Sequence, residues 1–219
     1  MAARLSRTSA GDPRDPVSPE AASLHLGLSG ERPPPDSGYF PNQFLIAMPS
    51  LDDENFGHTV TLMCEHSDKG ALGLIINRPM TLRLRDMLEQ MGLPRDQLRE
   101  DPQVYWGGPV QPERGFVVHT APANWDSTMP IGDDLYITTS RDVLAAIGRG
   151  EGPAQYFVAL GYAGWGAGQL DQEVMRNSWL NTPVDSGILF QVTASDRWRA
   201  ATRLLGVDVG YLASVAGHA

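Results

Sequence analysis

Residues 152–170, GPAQYFVALGYAGWGAGQL, form the longest stretch of the chain without a charged side chain. How this stretch is read decides the fold. A bilayer-spanning helix takes about 20 consecutive apolar residues, and the stretch comes close to that length. Its composition is wrong for a membrane. Pro153, Gln155 and Gln169 interrupt it, five glycines are scattered through it, and the continuous apolar run covers only 156–160. The better fit is a buried strand over 155–160, then a glycine-rich loop over 161–168 and a short helix over 170–176. No membrane segment is expected.

Upstream of it lie short apolar runs of strand type. FLIAM at 44–48 is stopped by Pro49. Residues 59–64 and 72–76 flank the turn signal SDKG and read as a hairpin. Residues 104–106, 115–119 and 135–138 read as further strands. Leu84, Met87, Leu88 and Met91 recur at helical spacing within 82–91, with Thr81 as N-cap and Gly92 as the stop. A second helix is expected from Ser140 to Ile147. Downstream, 188–191 reads as a strand and Ser195 as the cap of a final helix carrying Trp198, Ala201 and Leu205 on one face. Hairpins mixed with strand–helix alternations predict an α/β chain of the α+β type. The expected architecture is a single domain with a mixed, strongly curved sheet and peripheral helices.

The ends of the chain differ. Residues 1–38 hold six prolines and no aromatic residue, too little apolar surface to offset the entropy of ordering. They are expected to be a disordered tail, a short helix over 21–28 being the one local alternative. The folded domain is assigned to 39–219. Arg4 and Arg7 are not followed by an apolar segment, so no secretory leader is expected. The lone cysteine, Cys64, forms no intramolecular disulfide and suits a reducing compartment. Together these place the protein in the cytoplasm. With a net charge of −9 and Lys69 as the only lysine, the chain lacks the basic surface that phosphate contacts need. Direct DNA binding is not expected.

Candidate chemistry is concentrated in a few places. Cys64, Glu65 and His66 are consecutive, and strand alternation puts Cys64 and His66 on one face. A thiolate beside imidazole is a nucleophile or redox pair; the plainer reading is a buried small side chain next to a hydrogen-bonded histidine. Asn77-Arg78-Pro79 and Gly107-Gly108-Pro109 each follow a strand, where turn chemistry and pocket chemistry look alike. His58 and His119 sit at strand ends; two histidines with a carboxylate are metal-ligand chemistry, but histidines at sheet edges more often satisfy backbone carbonyls. In the glycine-rich segment, Gly164, Trp165 and Gln169 precede Asp171 and Glu173. The G-x-x-G-x-G-x-G spacing lacks the lysine of a phosphate loop, so a tight loop around a packed tryptophan is the simpler reading. The two acids suit the positive end of a helix. No catalytic set, metal centre or cofactor is assigned.

As a set these motifs closely resemble the AlgH/YqgE family. AMP with Leu51-Asp52, then CEH, NRP, GGPV and LGYAGWGAGQL occur in the family's order, and the resemblance covers 39–208. It departs at Asp171, where the family usually has Glu, so a carboxylate contact made from that position has a shorter reach here. The resemblance implies a mixed sheet curled into a pseudo-barrel. It also implies a label of transcriptional regulator, without a helix-turn-helix to support it. The reading that follows is a non-enzymatic regulatory protein acting through a protein partner, with Trp165 exposed on the contact patch. The alternative is a small-molecule binder or enzyme whose pocket gathers Asn77, Arg78, Gly107, Gly108, Trp165 and Asp171 at the strand ends.

Overall fold

The computed structural model describes residues 40–206. The expected tail over 1–38 lies outside the described residues. Among them the elements run β1 (Gln43–Ala47), β2 (Val60–Ser67), β3 (Gly70–Ile75), β4 (Pro79–Arg83), α1 (Leu84–Gln90), β5 (Gln103–Trp106), β6 (Val110–His119), β7 (Thr128–Pro130) and β8 (Tyr136–Thr138). There follow α2 (Arg141–Gly148), β9 (Tyr156–Gly166), α3 (Gln169–Met175), β10 (Trp179–Pro183), α4 (Ser186–Phe190) and α5 (Ala194–Leu204). The strands make one curled sheet in the order β10-β1-β2-β3-β9-β6-β8-β7, with β4 and β5 branching from β9. All pairings are antiparallel except β5 with β9. The mixed α+β fold, the curl and the single domain are as the sequence predicts.

Strand β9 organises the sheet. It pairs with β3 and β6 on its two sides and, over Ala159–Leu160, with β5. Its side chains alternate until Gly161: Phe157 and Ala159 enter one apolar cluster, Val158 and Leu160 another. Gly161 has φ +72, and the phase then slips, so that Tyr162 returns to the first cluster. The expected glycine loop is therefore corrected. Most of it is strand, and the left-handed glycine acts as a bulge inside the strand instead of ending it.

The first cluster contains Phe44, Leu62, Leu74, Phe116 and Ile188, and α5 closes it with Ala201. Full burial of each such aliphatic or aromatic side chain contributes about 1.5–3 kcal/mol. On the other face α1 and α2 cover Val104, Val117 and Val158 with Leu84, Leu88, Val143 and Ile147. A third cluster joins Leu45, Met63 and Ala163 to Trp165, Leu170 and Trp179.

Three local expectations fail for identifiable reasons. The helix expected from Leu82 starts at Leu84, because Pro79–Arg83 is drawn into a ladder with β5, Pro79 opposite Tyr105 and Arg83 opposite Gln103. The expected strand at 188–191 is instead α4, whose N-terminus is capped by Asp185 accepting from the Ile188 amide at 2.9 Å. The final helix begins at Ala194 with Thr193, not Ser195, at the N-cap position.

Candidate functional site

The motif residues divide into three groups. The first is built where α3 folds back on β9. Glu173 receives three hydrogen bonds: Trp165 Nε1 at 3.0 Å, Trp179 Nε1 at 2.8 Å and Gln169 Nε2 at 2.9 Å. Gln169 also accepts from the Gly166 amide at 3.1 Å. Gly164 lies opposite Leu72 in the β3–β9 ladder. The two indoles meet edge to face at 6.0 Å, and Phe56 lies against both. Trp165 is only 5% exposed, so the expectation that it faces solvent on a contact patch is corrected. Its ring completes the third apolar cluster, where leaving it exposed would forfeit a large burial gain.

Beside this clamp, His66 is buried on β2 and stacks on Phe40 at 5.3 Å. Its Nδ1 accepts from the Phe40 amide at 3.1 Å, which puts the proton of the neutral ring on Nε2, facing Asp171 Oδ1 at 3.5 Å. Burial lowers the His66 pKa, partly opposed by the Asp171 carboxylate. The distance is long for a hydrogen bond, as expected of the shorter acid at this position. Cys64 does not share this face. A bulge between Met63 and Glu65 shifts the register, sending Cys64 toward the first cluster and His66 toward Phe40 and the third. The expected Cys64–His66 pairing on one face is thus corrected. Cys64 donates weakly to Leu62 O at 3.6 Å, and burial, then the Glu65 charge, pushes its thiol far above the ordinary range. Such a thiol is a poor nucleophile.

The second group holds the loop between β1 and β2. Asn77 accepts from the Val60 amide and donates to His58 O, both at 2.9 Å. Arg78 donates to Gly57 O at 2.9 Å. His58 has φ +57, a conformation costly for a bulky side chain, and its ring packs on Trp198 at 4.9 Å. Inside the loop, the Asp53 carboxylate accepts from the amides of Asn55 and Phe56. The loop is thereby folded so that Phe56 reaches the tryptophan pair.

The third group is Gly107 and Gly108, where the chain crosses β9. A Cβ on Gly107 would stand 2.3 Å from Gly161 O, and one on Gly108 would stand 2.2 Å from Tyr162 C. Only glycine permits this approach. The expected gathering of Asn77, Arg78, Gly107, Gly108, Trp165 and Asp171 around one pocket is corrected. Asn77 and Arg78 are spent on backbone atoms of the 57–60 segment, and the two glycines meet β9 with no side chain to offer. A small hollow elsewhere is lined by Arg99, Ile147, Gly150, Gly152, Pro153 and Tyr156, none of them from the motifs.

His119 stands apart. It is fully buried, with Nδ1 on Thr120 O and Nε2 on Thr138 Oγ1, both at 2.8 Å, and burial lowers its pKa. Among the described residues no three His, Cys, Asp or Glu side chains gather as a metal site. No described helix is long and apolar enough to cross a membrane. Phe40, Phe56 and Trp179 complete the clamp and were not singled out from the sequence. The signal for Trp179 was Glu173 six residues before it, a buried indole needing an acceptor.

With the fold in view, the comparisons are specific. A family model described as AlgH-like matches residues 44–210. A UPF0301 protein of Thioalkalivibrio sulfidiphilus is 51% identical over 183 residues, covering 84% of this chain and 98% of that one. One from Methylococcus capsulatus is 51% identical over 185 residues, covering 84% and 98%. The solution structure of the AlgH protein from Pseudomonas aeruginosa superposes with a TM-score of 0.70 at 45% identity, covering 86% of this chain and all of that one. A crystal structure from Corynebacterium diphtheriae, 21% identical, shares the fold at a TM-score of 0.64, with 83% and 93% covered. The chain belongs to the AlgH-like family.

Proposed function

We propose that this chain is a non-enzymatic, cytoplasmic protein that works by binding another protein. The supporting observation is where the motif side chains point. Glu173, Gln169, Asn77 and Arg78 bond to the protein's own indoles, amides and carbonyls. Such residues stiffen a scaffold and leave little to act on a substrate. What the scaffold holds outward is the far side of α3. There Met175 is 80% exposed, next to exposed Gln172 and Arg176. A flexible, polarisable side chain on a rigid support is suited to a protein contact. Any part in transcription is then played through that partner, since a net charge of −9 opposes a duplex contact.

The test is photo-crosslinking in living cells with a benzophenone amino acid at position 175 and, as control, at Leu204, the other exposed large apolar residue among the described residues. A discrete protein adduct from 175 and none from 204 supports the reading. Equal, diffuse labelling from both positions refutes it.

A further inference from the structure

The first cluster contains a polar atom that packing does not explain. Tyr162 is 2% exposed, and its hydroxyl is buried with no hydrogen-bond partner among the described residues. A buried hydroxyl without a partner is costly and calls for a cause. The Tyr162 ring meets Phe116 edge to face at 5.9 Å. Over the other ring, 5.5 Å from its centroid, lies the Arg114 guanidinium. Arg114 forms no ion pair among the described residues; its one hydrogen bond is a long one, 3.5 Å to Gln111 Oε1. Phe116 is thus the ring both groups pack on; burial raises the Tyr162 pKa, partly opposed by the Arg114 charge.

The backbone here is also unusual. The β6–β9 register is broken between Val110 and Gly115, and Gln111 sits at φ +47. Bulges and left-handed non-glycine residues concentrate where a side chain must be aimed. Gly108 and Gly161, close-packed on each other, bring the 110–114 segment against Tyr162: a Cβ on Gly161 would stand 2.4 Å from Gly108 O and 3.3 Å from Pro112 Cα. The GGPV and LGY motifs therefore meet at this point.

We infer that Tyr162 and Arg114 form a binding site for a small oxyanion, a carboxylate or phosphate group, that takes the Tyr162 O–H and the Arg114 guanidinium together. A phenol donor and a planar cation are complementary to such a group. Arg114 is half-buried, with its guanidinium on an aromatic face and no carboxylate partner among the described residues, so its charge is available to an anion. Glu113, its exposed neighbour, is the carboxylate nearest in sequence.

The full chain would be titrated with inorganic phosphate and, separately, acetate, following the Arg114 Nε–Hε resonance by NMR. Tyr162→Phe and Arg114→Gln would be compared, with melting temperatures recorded in anion-free buffer. The inference expects a saturable shift with at least one probe, weakened tenfold or more in both variants, the stronger probe identifying the group. It also expects Tyr162→Phe to melt no lower than the parent, since the hydroxyl it removes has no partner. A non-saturating response, or equal affinity in either variant, overturns it. A lower melting temperature for Tyr162→Phe also overturns it, because the hydroxyl would then already be satisfied by water.

Discussion

Replacing Glu173 by alanine removes the acceptor for two indole N–H groups and one amide at once. Trp165 and Trp179 are buried at 5% and 4% exposure, so their N–H groups have little access to water once the carboxylate is gone. Each buried donor left without a partner costs about 1–3 kcal/mol. Glu173 itself is half-buried, and water entering the space it vacates recovers part of that. The loss should therefore be near the lower half of the summed range, about 3 kcal/mol. For a domain of this size that is a fall in melting temperature of about 6–12 °C. Glu173→Gln separates charge from hydrogen bonding. Its remaining carbonyl still accepts from both indoles, and Gln169 can turn its amide to meet the new NH2 only by giving up the bond it accepts from Gly166, so about 1 kcal/mol is expected. Urea unfolding followed by tryptophan fluorescence measures both, and the same indoles report on the clamp in near-ultraviolet circular dichroism. An alanine variant within about 1 kcal/mol of the parent, or a glutamine variant as damaged as the alanine one, would refute the clamp.

Gly108→Ala should destabilise by more than about 3 kcal/mol or prevent folding, since its Cβ would meet Tyr162 backbone at 2.2 Å with φ +150. Gly168→Ala, left-handed at φ +69 but with nothing within 4 Å, should cost only about 1–2 kcal/mol in the same urea assay. Cys64 should react with iodoacetamide at pH 8 far more slowly in the native protein than in denaturant, a comparison made clean by its being the only cysteine. His66 and His119 both have folded pKa values below the ordinary value of about 6.5. The unfolded chain therefore binds protons first, and stability should be full above that value and fall as pH drops from it toward the folded values. His66→Gln keeps an acceptor for the Phe40 amide and removes one titration, so urea midpoints between pH 7.5 and 5 should fall less steeply in that variant.

What the sequence discloses follows from how local its causes are. FLIAM and the hairpin around SDKG are legible because alternation and turn residues act within a few positions. The continuation of β9 past Gly161 is not, because glycine is a poor strand former and the reason for it lies in Gly107 and Gly108, in the connection between β5 and β6. The bulge between Met63 and Glu65 is likewise silent in the sequence, and it alone turns His66 away from Cys64. Asp171 and Glu173 read plausibly as helix-terminal charges. Their partners, His66, Trp165 and Trp179, are supplied by three strands that only the folded sheet brings to α3.

The pairing of β1 with β10 has a consequence for synthesis. Gln43 lies opposite Pro183 and Ala47 opposite Trp179, so β1 leaves the ribosome long before its neighbour is made. Until then one edge of β1 is open, and Leu45, Met63 and Ala163 lack the cover of Trp179. Trp198 Nε1 donates to Ala47 O at 3.0 Å, and Arg197 to Ile76 O, so α5 also fastens β1 and the residue that follows β3. Non-local closure of this kind is slow and leaves a sticky nascent chain. A ribosome stalled before Trp179 should hold a chain that proteases cut within β1, whereas a full-length chain should resist them there.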